Sequence, residues 1–125
     1  MLIDIFMVTI GGALGALCRY GLCGLINWLY RPQLTLGTIT VNLIGCFLMG
    51  LLISLVHGRF PVSDSIKLLL LTGFLGAFTT FSTYTLESVS YMIDGKYGLA
   101  AANIVISTVI SVPLLFIGMK FGKMF

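Results

Sequence analysis

The residues between Gly73 and Glu87 are unusually polar for a stretch that begins shortly after four consecutive leucines. They read Gly-Phe-Leu-Gly-Ala-Phe-Thr-Thr-Phe-Ser-Thr-Tyr-Thr-Leu-Glu. At membrane depth, polar or irregular backbone persists only where protein or a cavity shields it. Such residues mark a functional site by default. The segment therefore predicts a functional site, although Gly and Thr also serve close packing between helices.

Two other apolar stretches carry polar side chains at helical spacing. Thr38 and Asn42 are four residues apart and share a helix face. The Asn42 amide can donate to an anion or form an interhelical hydrogen bond. Asn103, Ser107 and Ser111 also recur every four residues, which drifts by only about 40° per step on an α-helix. The three residues favour a polar stripe wetted by water or ions over helix packing as the alternative, because unsatisfied polar atoms are costly in lipid.

Arg19 and a pair of aromatic residues complete the candidate set. Arg19 lies deep in the first apolar stretch, where a cation costs about 2.5–3.5 kcal/mol. It either reaches an interface with its long stem or serves a passing anion. Phe81 and Tyr84 are three residues apart and project from nearly one helix face. Their positive ring edges can meet an anion weakly, although aromatic residues at this spacing are also common in cores.

The composition is that of a membrane protein. Hydrophobic residues make up 58% of the 125 positions, charged residues 9%, and mean hydropathy is +1.11. A soluble domain carries about 25% charged residues, so this chain cannot cover a surface that faces water. The net charge of +3 forms no basic run, which argues against a nucleic-acid partner. Three cysteines without ligand spacing argue against disulfides or zinc.

Four apolar segments organise the chain as a single transmembrane domain over residues 1–125. Each is long enough to cross a bilayer, which needs about 20 residues. The predicted spans run roughly from Ile3 to Leu29, Thr38 to Val56, Ile66 to Met92 and Gly98 to Met119. The first break contains Pro32, which cannot continue a helix. The prediction is an all-α, multi-pass protein with four membrane helices.

The charges in the connecting segments bias the orientation only weakly. Four basic residues fall on one side of the membrane, namely Arg59, Lys67, Lys120 and Lys123, and two on the other, namely Arg31 and Lys96. This split favours an orientation with the N-terminus inside the cell. So few charges are compatible with insertion in both orientations and with an antiparallel homodimer. A four-helix chain is also too slight to enclose a pathway alone, so we expect it to oligomerise.

With these motifs, the chain resembles the Fluc (CrcB) fluoride channels of microorganisms. The resemblance rests on Gly11 to Tyr20, on Gly37 to Gly45 and on Gly73 to Glu87, and it covers the chain in length, order and span count. It implies an antiparallel, dual-topology homodimer of four-helix subunits in the inner membrane, with two fluoride pores lined by both chains. In this family the third helix is broken around Thr-Thr-Phe-Ser-Thr.

The resemblance also assigns roles to individual residues. A structural sodium ion at the dimer centre is implied, held by the backbone carbonyls of Gly76 and Thr79. The family's two pore phenylalanines correspond to Phe81 and Tyr84, and the tyrosine is a departure because the family generally presents a plain ring there. The remaining pore and fluoride-binding positions that the resemblance implies are Asn42, Ser82, Thr83, Ser107, Ser111, Arg19 and Glu87.

Fluoride export driven by the membrane potential is the function that this resemblance implies. The alternative is a small, dual-topology, proton-coupled multidrug exporter, which needs an ionisable acid in its binding chamber. The deep charge of the first span is Arg19, whereas Glu87 lies in the third span, so the alternative stays open on physical grounds. The sequence shows no nucleophile–base pair, and we do not expect an enzyme.

Overall fold

Four long helices make up the fold of the described residues. The computed structural model describes residues 1–31, 33–58 and 60–125. Pro32 and Arg59, which entered the arguments on the first break and on the charge balance, lie outside the described residues. We number the helices α1 (Leu2–Tyr30), α2 (Leu36–His57), α3 (Asp64–Ile93) and α4 (Tyr97–Met124). All four are long and apolar enough to span a membrane, which confirms the predicted all-α, multi-pass architecture.

The helix bounds extend slightly beyond the predicted spans. The largest difference is at the end of α4, which continues to Met124 rather than stopping at Met119. Lys120 and Lys123 are compatible with a helix end because their long stems reach the interface while the backbone stays helical. Cations near a helix C-terminus are also favourable electrostatically.

Helical geometry inside α3 is interrupted by two residues. Its first part consists of α-helical Asp64–Lys67, π-helical Leu68–Leu75 and a short α-helical Gly76–Phe78. Thr79 (φ −84°, ψ 158°) and Thr80 (φ −148°, ψ 118°) have extended backbone, and Phe81–Ile93 is α-helical again. The interruption falls inside the polar Gly73–Glu87 segment.

A second irregularity widens α4 near its middle. The helix is α-helical over Tyr97–Val105, π-helical over Ile106–Ile110 and α-helical over Ser111–Met124. Pro113 follows the π-helical turn by three residues. A proline in a helix interior lacks an N–H and crowds the carbonyl four residues before it, which here belongs to Val109. The wider turn relieves that crowding, and π turns are frequent at functional sites.

The helices pack in two close pairs, and glycines permit the close approach in both. A Cβ on Gly15 of α1 would overlap the carbonyl oxygen of Phe74 in α3. In α2 and α4, a Cβ on Gly50 would overlap the Leu115 carbonyl, and one on Gly118 would overlap the Phe47 carbonyl. Small residues at such contacts are the usual means of helix association in membranes.

The outer surface of this bundle is apolar and largely uncovered. In each helix, at most 28% of the most apolar 18-residue window is buried inside the chain. Large apolar side chains such as Leu17, Trp28 and Phe116 are exposed. Exposed apolar surface on this scale requires lipid or another protein surface to cover it.

Candidate functional site

The side chain of Asn42 in α2 binds the backbone of the interrupted segment of α3. Asn42 Nδ2 donates to the carbonyl oxygen of Thr80 at 3.0 Å, and the Thr80 N–H donates to Asn42 Oδ1 at 2.8 Å. One amide side chain therefore satisfies both backbone groups of a residue with extended backbone. This satisfaction matters because an unpaired backbone group at membrane depth costs several kcal/mol. The second N–H of Asn42 Nδ2 is not needed for these contacts.

The Thr80 side chain restarts the helix after the interruption. Thr80 is the N-cap of Phe81–Ile93, and its Oγ1 accepts from the Thr83 N–H at 3.3 Å. Threonine is a good N-cap because its hydroxyl can satisfy one of the free N–H groups of the first turn. The same hydroxyl donates to Thr83 Oγ1 at 2.9 Å. Thr83, one of the predicted pore residues, is thus engaged in the cap and is exposed on the single chain.

The two carbonyls predicted to hold sodium have lost the donors that a continuous helix would give them. In an α-helix, the N–H groups of Thr80 and Thr83 would donate to the carbonyls of Gly76 and Thr79. Here the Thr80 N–H donates to Asn42 and the Thr83 N–H donates to Thr80 Oγ1. The carbonyl oxygens of Gly76 and Thr79 suit a hard cation such as sodium, which prefers oxygen ligands.

A cavity of about 300 Å³ lies beside the interruption, between α2, α3 and α4. It brings together six of the residues that sequence analysis named. They come from three separate helices and include an amide, four hydroxyls and two aromatic rings, one of which bears one of those hydroxyls: Asn42, Thr79, Phe81, Tyr84, Ser107 and Ser111. Four residues that were not predicted as site residues also line the cavity, namely Cys46, Thr80, Thr108 and Val112.

Phe81 and Tyr84 form an aromatic pair at this cavity. Their ring centroids are 5.4 Å apart and the ring planes are tilted by 52°. Phe81 is 80% exposed on the single chain, whereas Tyr84 is half-buried. The Tyr84 hydroxyl lies 3.4 Å from Thr108 Oγ1. Aromatic ring edges carry partial positive charge, so a ring pair that lines a cavity can offer an anion a weak attraction.

The polar residues of α4 separate into two environments. Ser107 is buried and lines the cavity, and its Oγ has no hydrogen-bond partner among the described residues. Ser111 lines the same cavity. Asn103 is fully buried and donates from Nδ2 to Ser88 Oγ at 3.0 Å. The interpretation of Asn103 as part of a wetted stripe is therefore wrong, since it makes a packing contact between α3 and α4.

Thr108 is the residue that sequence reasoning should have found and did not. It follows Ser107 directly, and on a regular α-helix adjacent residues point about 100° apart. The π-helical turn Ile106–Ile110 contains both residues, and both line the cavity. The available sequence signal was Pro113, since a proline in a helix interior predicts a local irregularity.

The remaining predicted residues lie outside the cavity lining. Thr38 Oγ1 donates to Glu87 Oε1 at 2.6 Å, and Glu87 Oε2 is buried without a hydrogen-bond partner within the described chain. Arg19 is half-buried on α1. Ser82 and Gly76 are exposed on the single chain. None of these residues lines the cavity that Asn42 and the aromatic pair share.

The cavity lining carries no charge, and its few polar groups are set in mostly apolar surface. Its donors are hydroxyls and an amide, and none of the described residues that line it is Asp, Glu, Lys or Arg. Within residues 1–31, 33–58 and 60–125, no group of three or more His, Cys, Asp or Glu is placed to hold a metal ion. Neutral donors can replace part of the hydration shell of a small anion without trapping it, as filters do in other channels.

Comparison with known proteins gives consistent matches along nearly the whole chain. The CrcB-like protein family, Camphor Resistance (CrcB), matches residues 6–119. The Fluoride-specific ion channel FluC of Salinibacter ruber is 39% identical over 117 residues, which are 94% of this chain and 87% of that protein. The protein of the same name from Agrobacterium fabrum is 42% identical over 125 residues, 98% of each chain.

Proposed function

The chain belongs to the CrcB-like family, and we propose on that premise that it is a fluoride-selective channel. It lets fluoride leave the cell passively across the inner membrane and so reduces fluoride toxicity. The observation that carries the proposal is the uncharged cavity beside the interrupted helix, lined by Asn42, Ser107, Ser111 and the aromatic pair. The relatives named as fluoride-specific channels support the choice of ion.

The chemistry of the cavity suits a small, strongly hydrated anion. Amide and hydroxyl groups donate hydrogen bonds that replace lost water, and ring edges add a weak attraction. A larger halide fits the same donors poorly because their separation is fixed by three packed helices. An inside-negative potential then drives the anion outwards, at about 2.3 kcal/mol per charge per 100 mV. No further energy source is needed.

The decisive test is passive fluoride efflux from proteoliposomes that contain the purified chain. With valinomycin clamping the potential, we expect rapid fluoride release, no comparable chloride release, and no change when a protonophore collapses the pH gradient. Chloride release at a similar rate would refute selectivity.

Release that depends on a proton gradient would instead favour the multidrug exporter. That alternative is disfavoured because Glu87, the acid of the third span, lies outside the cavity and accepts a hydrogen bond from Thr38.

We further propose that the working unit is an antiparallel, dual-topology homodimer with two pores. The apolar surface left uncovered on one subunit supports a second copy. Ser82, Thr83 and the ring of Phe81 are exposed on a single chain, and in this proposal they meet the partner subunit. Arg19 and Glu87 would complete the pore from positions outside the cavity.

Charge-biased copies test the dual topology. A first copy gains two lysines on the side that already has more, which raises the split from four-to-two to six-to-two and favours a single orientation. A second copy is biased the opposite way by removing two basic residues and adding two on the other side. The first carries Met124→Lys and Phe125→Lys, and the second Lys120→Gln, Lys123→Gln, Gln33→Lys and Gly98→Lys.

Each biased copy alone should lose fluoride efflux from cells, and the two expressed together should restore it. The amount of each variant in the cells, measured by immunoblot, controls for loss of protein. Normal efflux from a single copy whose orientation is shown to be uniform would refute the antiparallel dimer.

We propose that a structural sodium ion is held by the carbonyls of Gly76 and Thr79 from both subunits. The diversion of the Thr80 and Thr83 N–H groups to other acceptors supports the availability of these carbonyls. When bound, the ion would supply positive charge and hold the two interrupted helices together. Purification with a large organic cation in place of sodium should lower thermal stability, and sodium should restore it in the sub-millimolar to millimolar range. Equal stability in both salts would refute the site.

A further inference from the structure

Tyr84 and Thr108 place two hydroxyl groups on different helices at one point of the cavity wall. Tyr84 lies in the second half of α3 and Thr108 in the π-helical turn of α4. Their oxygens are 3.4 Å apart, and either group can be the donor. Hydroxyl–hydroxyl hydrogen bonds usually measure about 2.5–3.0 Å. The contact is therefore too long to commit either proton firmly.

The Thr108 hydroxyl does not have the partner that three other threonine hydroxyls have. Thr9, Thr79 and Thr85 each donate to the carbonyl four residues earlier in their own helix. This is the common way in which threonine satisfies itself in a membrane. Thr108 Oγ1 instead contacts Tyr84 across the cavity.

The backbone carbonyl of Tyr84 is anchored by two buried side chains. Its carbonyl accepts from Ser88 Oγ at 2.8 Å and from Asn103 Nδ2 at 3.4 Å. Ser88 and Asn103 are both buried. The packing contact of Asn103 described above thus anchors the residue whose phenol reaches the cavity.

We propose that the hydroxyls of Tyr84 and Thr108 form a fluoride subsite with two donors. The buried Ser107 Oγ, which has no hydrogen-bond partner among the described residues, lies on the same cavity wall. The proposal rests on the fluoride-channel function and assigns two hydroxyls of this chain to the ion. A charge-assisted O–H contact to an anion measures about 2.5–2.7 Å. Oxygens 3.4 Å apart can both reach one fluoride at that distance. The ion replaces one weak hydroxyl–hydroxyl contact with two strong ones.

A double-mutant cycle separates this subsite from a merely structural bond. Tyr84→Phe and Thr108→Val each remove one hydroxyl and change little else, whereas Thr108→Ser keeps it. The readout is the fluoride concentration that gives half-maximal current through reconstituted channels. Each single substitution should raise it about tenfold and the pair about a hundredfold, because each lost hydroxyl removes its own bond to the ion. Thr108→Ser should stay within about threefold of the wild type.

A bond that serves structure alone predicts a different pattern. Either single substitution then breaks the bond, so the double variant would resemble the single variants. The fluoride concentration that gives half-maximal current would stay at the wild-type value in all three. That pattern, or unchanged half-saturation in both singles, would overturn the subsite. Tyr97→Phe, which removes an exposed hydroxyl outside the cavity lining, is the matched tyrosine control.

A binding measurement keeps the subsite testable apart from conduction. Fluoride titrated into the purified protein in detergent should shift the near-ultraviolet absorbance of tyrosine, since a phenol that donates to an anion changes its spectrum. The shift should be absent in Tyr84→Phe, persist in Tyr97→Phe and be missing with chloride. A shift without fluoride flux would uphold the subsite and refute the channel. Flux without a Tyr84-dependent shift would uphold the channel and refute the subsite.

Discussion

Replacement of Asn42 by alanine tests the central hydrogen-bond pair of the site. The substitution removes the acceptor for the Thr80 N–H and the donor to the Thr80 carbonyl, at 2.8 and 3.0 Å. A buried backbone group left without a partner costs about 1–3 kcal/mol. Two such groups therefore predict a loss of about 2–6 kcal/mol in the free energy of unfolding. Chemical denaturation in detergent measures that loss directly.

Asn42→Asp separates the structural role from a role in conduction. The aspartate keeps an acceptor for the Thr80 N–H, but an ionised carboxylate cannot donate to the Thr80 carbonyl or to an anion. We expect a smaller loss of stability than in Asn42→Ala and fluoride flux that is nevertheless abolished. Flux is measured per correctly assembled protein, so that loss of folded material is not mistaken for loss of conduction.

Asn27→Ala is the matched asparagine control. Asn27 Oδ1 accepts one hydrogen bond, from the Gly37 N–H at 3.2 Å, and its side chain is exposed. A single part-buried bond is worth about 0.5–1.5 kcal/mol, less than the pair that Asn42 makes, and fluoride flux should be unchanged. The reasoning fails if Asn42→Ala is as stable as the wild type, or if assembled Asn42→Asp conducts fluoride normally.

Three further substitutions test other contacts of the same structure. Phe81→Ile should lower fluoride flux per assembled protein at least tenfold, because an aliphatic side chain has no positive ring edge to offer an anion; unchanged flux would remove the ring from the mechanism. Gly15→Ala should destabilise the α1–α3 contact by about 1–3 kcal/mol, since its Cβ would overlap a carbonyl of α3, whereas Gly12→Ala meets nothing within 4 Å and should be neutral in the same unfolding assay. Thr38→Val should cost about 1–3 kcal/mol by leaving Glu87 without its donor, and Glu87→Gln in the same background should recover part of that stability.

The four helices and the main residues of the cavity could be predicted from the sequence because the patterns that indicate them are local. Long apolar stretches identify membrane helices without reference to tertiary structure. Asn42 and the polar segment from Gly73 to Glu87 stood out because polar groups are scarce in such stretches. Their mutual hydrogen bonds did not, since 38 residues separate Asn42 from Thr80 and nothing local records that contact. The dimer, the sodium site and a third helix broken around a bound ion stay predictions.

The misassignment of Asn103 has a physical origin in the shape of α4. Spacing arguments assume about 3.6 residues per turn throughout a helix. The π-helical turn Ile106–Ile110 lies between Asn103 and Ser111. Its wider turn rotates the second half of α4 about the helix axis relative to the first half. Asn103 therefore packs against Ser88, while the neighbours Ser107 and Thr108 both reach the cavity.

The extended backbone at Thr79 and Thr80 explains why the polar segment needs this particular set of neighbours. Helical geometry at membrane depth is lost only where substitute hydrogen bonds exist. Asn42 supplies two of them and the Thr80 hydroxyl supplies a third. All three satisfy groups of Thr80 and Thr83, and none satisfies the carbonyls of Gly76 and Thr79. The same contacts that stabilise the interruption thus leave the carbonyls of Gly76 and Thr79 without the N–H donors of a continuous helix. They also place Phe81 and Tyr84 in the first turn of a new helix, beside the cavity that Ser107, Thr108 and Ser111 of α4 line.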